Sequence, residues 1–192
     1  MKPAPFDYVR AATAEEALAV LAAEGADARI LAGGQSLLPM LNMRLARPRV
    51  LIDIMGVADW REMHDDGDTL RIGAAVRQAE LEQRPDLARR QPLLAAALPW
   101  VGHVQTRSRG TICGSVAHAD PSAELPLVLL ALAGHVHLRS RRRARRLAAE
   151  AFFTGMFATA RAMGEIVTGV SGASPERAAY TKFRNPASRY AM

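Results

Sequence analysis

Two short glycine loops, separated by almost eighty residues, constrain this 192-residue chain more than any other feature. The first, Ala32-Gly33-Gly34-Gln35-Ser36-Leu37, follows the apolar run Ile30-Leu31, which reads as a strand. The second, Thr111-Ile112-Cys113-Gly114-Ser115, runs on into His118-Ala119-Asp120-Pro121-Ser122-Ala123-Glu124-Leu125-Pro126. Each combines small residues, hydroxyls and accessible backbone N–H groups, which let a chain approach a phosphate closely. Neither is G-x-G-x-x-G and neither ends in Gly-Lys-Ser/Thr, so the Rossmann and Walker readings both fail. Either loop alone reads as a tight turn. The pair reads as a clamp that grips the diphosphate of a dinucleotide from two sides.

Composition narrows the alternatives. The length allows one or two domains with a real core, and no apolar stretch approaches the roughly 20 residues of a membrane span. The N-terminus lacks the apolar core of a secretory signal, so a cytoplasmic location is expected. Cys113 is the only cysteine, which excludes an internal disulfide and an iron–sulfur cluster ligated by four thiolates of this chain. Net charge is +6, yet of the 25 basic residues only Lys2 and Lys182 are lysine. With so much alanine, this bias reads as GC-rich codon usage and is no argument for nucleic-acid binding.

Along the chain, Thr13-Ala14-Glu15-Glu16 reads as a capping box opening an amphipathic helix that Gly25 ends. Arg29 to Ala32 reads as a buried strand, Ser36 as the cap of a short helix, and Val50 to Ile54 as a second strand. Met63 to Asp68 reads as a polar connection. Thr69 to Ala74 is expected as a strand, Val76 to Gln83 and Pro85 to Leu98 as helices, and Glu124 to Leu132 as a helix. Gly134 to Leu138, Glu165 to Val170 and Ala179 to Phe183 complete the expected strands. Helices and strands that mix without regular alternation indicate α+β rather than a doubly wound sheet.

The segments AGGQSLLPMLNMRLARP (32–48) and TICGSVAHADPSAELP (111–126) resemble the two FAD-binding signatures of the medium subunit of molybdenum hydroxylases. This is the carbon monoxide dehydrogenase and xanthine dehydrogenase group. Glu150 to Gly155 and Lys182 to Ala191 add further matches, so the resemblance spans essentially the whole chain. It implies a two-subdomain FAD-binding fold of the vanillyl-alcohol-oxidase-like (PCMH-type) kind, lacking the usual C-terminal domain. The subdomains would be 1–57 and 58–178, with 179–192 beginning a truncated region. The resemblance implies that Ala32 to Leu37 (Ala32, Gly33, Gly34, Gln35, Ser36, Leu37) and Thr111 to Ser115 (Thr111, Ile112, Cys113, Gly114, Ser115) wrap the FAD diphosphate. Glu124 would contact adenosine or ribityl hydroxyls, with Asp120 sharing that work. Val101 and Gly102 match positions near the flavin, Ile166 or Val167 would pack on the adenine side, Lys182 would approach the isoalloxazine, and Tyr190 would shield one flavin face.

Three places depart from the family pattern. Cys113 stands where relatives carry glycine; if that position takes φ > 0, its Cβ costs roughly 1–2 kcal/mol. On that reading Cys113→Gly tightens FAD binding, whereas on another the thiol is a small buried hydrophobe that fits. The chain ends at Met192 where the family continues, which implies either truncation or a domain supplied by a neighbouring polypeptide. Ala162-Met163-Gly164-Glu165 replaces a Pro-Asp-Glu-like turn.

The six arginines between Arg139 and Arg146 have no interleaved aromatics and read as an exposed hairpin turn. His64-x-Asp66 and His118-x-Asp120 lack further ligands at metal-site spacing. His135 and His137 are expected to share an exposed strand face. The resemblance therefore implies an FAD-carrying oxidoreductase subunit without catalytic residues of its own or a bound metal. It would work in a hetero-oligomer with a 2Fe-2S subunit and a molybdenum-cofactor subunit, delivering electrons to NAD+, a quinone or oxygen. A stand-alone FAD oxidase of related fold and a non-catalytic basic module remain the alternatives.

Overall fold

The computed structural model describes residues 2–175 and 178–182. Strand β1 (Asp7–Arg10) leads to helix α1 (Ala14–Glu24), β2 (Ala28–Leu31), α2 (Leu37–Asn42) and β3 (Val50–Asp53). The three strands form a parallel sheet in the order β1-β3-β2. The capping box stands as expected: the Glu16 N–H donates to Thr13 Oγ1 at 3.1 Å. The Glu16 carboxylate reaches back one residue further, accepting from the Ala12 N–H at 2.8 Å. Gly25, at φ 54°, ends the helix in a backbone region that costs glycine little. Ala14, Ala17, Leu18 and Leu21 bury one face of α1 against the sheet.

Beyond β3 follow β4 (Met63–Asp66), β5 (Thr69–Gly73), α3 (Gln78–Glu82), α4 (Leu87–Arg90), α5 (Pro92–Ala97), α6 (Val104–Arg107), α7 (Ile112–His118) and α8 (Glu124–Ala131). The chain continues through β6 (His135–Arg139), β7 (Ala144–Ala148), α9 (Ala149–Phe152), β8 (Phe153–Gly155), β9 (Ala158–Thr159) and β10 (Ile166–Ala173). Five of these strands make an antiparallel sheet in the order β4-β5-β10-β6-β7. Its inner face carries Leu70, Ile72, Val136, Leu138 and Val170, all buried. One continuous apolar core joins these residues to Ile52 and Leu18 of the first sheet. The mixture is α+β, as the pattern indicates. Among the described residues no helix is long and apolar enough to cross a membrane.

Several expectations need correction, each for a local reason. Pro85 to Leu98 is two helices, broken at Gln91 (φ −141°, ψ 67°), because the proline at 92 disfavours helical backbone in the residue before it. Met63 to Asp68 contains the edge strand β4, whose outward polar side chains hide its period. Ser36 sits in helical conformation and makes no side-chain cap. Residues 179–182 lie in no strand, and Phe183 is outside the described residues. The arginine run forms the β6–β7 hairpin, where Arg139 pairs with Glu15 and Arg145 with Glu165, each at 2.7 Å.

His135 and His137 do share the outer face of this sheet but are only half exposed. His137 Nε2 lies 2.8 Å from Ser171 Oγ. Burial, reinforced by Arg71, Arg146 and His135, pushes its imidazole down to about 4. A group whose folded pKa is depressed favours the fold above its unfolded value and loses that contribution as the pH falls. The urea midpoint is therefore expected to decline between about pH 6.5 and 4. His137→Gln should flatten that part of the profile; an unchanged profile would contradict the assignment.

Candidate functional site: a cleft between two glycine loops

The first loop leaves β2 and turns through Gly34, whose φ of 73° suits glycine. Gly33 is required for a different reason. A Cβ there would fall on the Arg109 carbonyl oxygen and within 2.6 Å of Gly110 Cα, so the first loop packs directly on the backbone preceding the second. Thr111 caps α7 by accepting from the Gly114 N–H at 3.0 Å. A Cβ at Gly114 would meet Thr111 Oγ1 at 2.7 Å and the Ala32 Cβ at 3.9 Å. The second loop is held in turn by α3: the Gln78 N–H donates to Gly110 O at 2.8 Å, and Gln78 Nε2 to Thr111 O at 3.3 Å. Tight backbone contact thus brings together two loops that are far apart in sequence.

Between them opens a cleft of about 1950 Å³, well above the roughly 300–1,000 Å³ of ordinary small-molecule pockets. A ligand larger than an ordinary small molecule suits that space. The backbone N–H groups of Gly33, Gly34, Gln35, Ser36 and Cys113 find no protein acceptor among the described residues. Nor do the Ser36 and Ser115 hydroxyls make a hydrogen bond there. Backbone donors left open at loop bends and helix starts are what an anion uses. Lining carboxylates are largely spoken for: Glu124 pairs with Lys182, and Glu165 with Arg145 and Arg143. Arg29 and Arg161 also line the cleft and form no salt bridge among the described residues, though the Glu165 charge acts on Arg161. The site can therefore accept negative charge.

Of the residues singled out from the sequence, Ala32, Gly33, Gln35, Ser36, Leu37, Val101, Gly102, Thr111, Cys113, Gly114, Ser115, Asp120, Glu124, Ile166 and Lys182 all line this one cleft, as does Val167. Gly34 and Ile112 do not. Gly34 lies among the side chains of Leu38 and Leu31, and Ile112 is a core residue. Tyr190 is outside the described residues. Asp120 accepts from the Ser122 N–H and hydroxyl at 2.9 and 2.8 Å, so its carboxylate orders the turn into α8. The Glu124 and Lys182 side chains are largely enclosed and form an ion pair, and Lys182 Nζ also donates to Trp100 O at 3.3 Å. The Tyr180 phenol nearby is pushed upward by burial and by the Glu124 charge.

Cys113 corrects the expectation of backbone strain. It lies inside α7 without a positive φ, and its buried Sγ is 3.7 Å from Ile72 O, on the sheet side of the helix. Burial pushes the thiol up to about 12, so it is neutral and unreactive at ordinary pH. Cys113→Gly would remove a packed side chain and add a glycine to a helix interior, which alone costs about 1 kcal/mol. The variant is expected to unfold at lower urea and to gain nothing in ligand affinity. Tighter binding by it would revive the strain reading.

The cleft also holds residues that no sequence motif marked. At its mouth, the two-residue turn between β8 and β9 places Phe157 at φ 53°, with its N–H donating to Ala119 O at 3.0 Å. Ala119 has φ 53° as well. For residues with a Cβ this region costs roughly 1–2 kcal/mol each. The Phe157 ring lies 5.1 Å from that of His118, centroid to centroid. Arg29, Arg161 and Met163 were likewise missed, because isolated arginines and a methionine carry no local pattern.

Comparison with known proteins agrees with this geometry. Residues 4–171 match the family described as FAD binding domain in molybdopterin dehydrogenase. The chain is 43% identical over 171 residues to the 6-hydroxypseudooxynicotine dehydrogenase complex subunit alpha of Paenarthrobacter nicotinovorans, covering 89% of this chain and 58% of that protein. It is 38% identical to the carbon monoxide dehydrogenase medium chain of Hydrogenophaga pseudoflava, over 83% of this chain and 55% of that one. Among solved structures, carbon monoxide dehydrogenase from Hydrogenophaga pseudoflava superposes with a TM-score of 0.94 at 34% identity, over 100% of this chain and 68% of that one. Quinoline 2-oxidoreductase from Pseudomonas putida 86 superposes with a TM-score of 0.88 at 36% identity, over 92% and 61% of the two chains. The chain spans somewhat over half the length of the curated relatives it matches. On the extent of the match and the cleft it surrounds, this chain belongs to the family of FAD-binding domains of molybdopterin dehydrogenases.

Proposed function

We propose that the cleft holds FAD, its diphosphate lying between the two glycine loops, and that the chain serves as the flavin-carrying subunit of a molybdenum-dependent dehydrogenase. The observation that carries this reading is the set of open N–H donors on two loops in backbone contact. A hydrogen bond to a charged group contributes roughly 1.5–3 kcal/mol, so a few such amides hold a diphosphate without a lysine. The Ser36 and Ser115 hydroxyls add donors. On this reading residues 1–57 and 58–178 act as two subdomains clamping the cofactor. Ile166 and Val167 supply an apolar wall for the adenine side, and the Glu124–Lys182 pair lies toward the flavin with Val101 and Gly102.

Bound FAD supplies one- and two-electron redox chemistry; the protein supplies binding, orientation and electrostatics. The chain's own residues bind and orient, and no acid or base from it is required. With a single cysteine it cannot carry an iron–sulfur cluster on four thiolates, so electrons would arrive from a separate 2Fe-2S subunit. A molybdenum-cofactor subunit would oxidise the substrate, and NAD+, a quinone or oxygen would take the electrons. The proposed setting is a cytoplasmic hetero-oligomer. Absorption spectroscopy of the purified chain, with and without added FAD, tests the cofactor: a protein-bound flavin near one per chain is expected. Co-purification with an iron–sulfur protein tests the assembly. Efficient turnover of a substrate by the isolated flavin-loaded chain would favour a stand-alone oxidase instead.

A further inference from the structure

We infer that Phe157 is a cofactor-contacting residue, its ring pressed against a planar ring of the dinucleotide at the mouth of the cleft. The inference rests on the FAD reading above and extends it to a residue outside the glycine loops.

Three observations lead there. Phe157 takes a positive φ in a two-residue hairpin turn, a position where glycine or asparagine is the usual occupant. An aromatic side chain is therefore a poor choice for making the turn. Its side chain does not serve the core either: the residue is 58% exposed, with Met156 beside it at 74%. Yet the strained backbone is held firmly, since its N–H donates to Ala119 O at the left-handed end of α7, and its ring packs at a tilt of 54° on His118. Strain that the surroundings maintain, with neither turn chemistry nor burial to account for it, points to a use for the side chain. The same residue lines the cleft together with His118, Asp120 and Ser122. Two tilted rings lining the cleft offer a face and an edge to a flat ligand ring. Both the adenine and the isoalloxazine are flat, and the experiment separates them.

The test is FAD titration of the chain, followed by flavin fluorescence, in wild type, Phe157→Gly, Phe157→Asn and Phe157→Tyr. Thermal unfolding of the same proteins without FAD runs in parallel. Glycine and asparagine relieve the backbone but remove the ring, so their unfolding temperatures should equal or exceed wild type. Their Kd for FAD should nevertheless rise about tenfold, while Phe157→Tyr stays within twofold of wild type. A merely structural residue cannot give that combination. Competition by ADP and by FMN then assigns the ring: the half whose affinity falls in Phe157→Gly is the half Phe157 touches. FAD affinity within twofold of wild type in both Phe157→Gly and Phe157→Asn overturns the inference. So does a loss of affinity that merely follows a drop in unfolding temperature. A wild-type chain that takes up no FAD overturns the cofactor reading itself, and this inference with it.

Discussion

Gly33→Ala is expected to lose at least about 100-fold in FAD affinity and to unfold roughly 2–12 °C below wild type. The methyl group would be driven onto the Arg109 carbonyl and Gly110 Cα, both backbone, with no flexible side chain able to give way. Overpacking of this kind costs typically 1–3 kcal/mol and occasionally more, and in a chain of this size each kcal/mol moves the unfolding temperature by about 2–4 °C. The affinity loss is larger because the two loops must separate. Losing even two charged hydrogen bonds, at about 1.5–3 kcal/mol each, corresponds to a factor of roughly 100 or more. Gly164→Ala is the matched control: its Cβ meets nothing within 4 Å and its φ is not positive. Calorimetric unfolding and flavin titration of both variants check this. Unchanged affinity in Gly33→Ala would mean that the loop contact does not shape the ligand site.

The second large effect is expected at the buried ion pair. Lys182 and Glu124 side chains are only 5% and 10% exposed, so removing one leaves the other charge desolvated and unpaired. Breaking such a pair costs about 3–5 kcal/mol, whereas replacing both partners is often nearly neutral. Lys182→Met should therefore lower the unfolding free energy by about 3 kcal/mol, and the double variant Lys182→Met with Glu124→Gln should recover most of it. Urea denaturation of the two single variants and the double one measures the coupling directly. A cost below about 0.5 kcal/mol for Lys182→Met would place this pair with the weak, solvated ones.

How far the sequence foretold this arrangement depended on whether a signal was local. The helix start at Thr13 and its stop at Gly25 were legible because capping chemistry lies within a few consecutive residues. The two loops were legible as phosphate-binding candidates for the same reason. Their meeting was not, since it rests on Gly33 touching Arg109 and Gly110 across some seventy-five residues of chain. Edge strands β1 and β4 escaped because their side chains face solvent and carry no apolar alternation. The Lys182–Glu124 pair cannot be read from either residue alone, because the two lie 58 residues apart and neither carries a local pattern. Phe157 left no trace at all. Its turn has neither Gly-Gly nor Asn-Gly, and the sequence rule for hairpins fails where the residue is strained.

Backbone amide shifts on adding FAD to the 15N-labelled chain test the central claim most directly. The amides of Gly33, Gln35, Ser36 and Cys113 should show the largest downfield movements, as donors that newly engage a charged acceptor. If FAD binds while these four stay in place and shifts concentrate elsewhere, the diphosphate is not held where the account puts it.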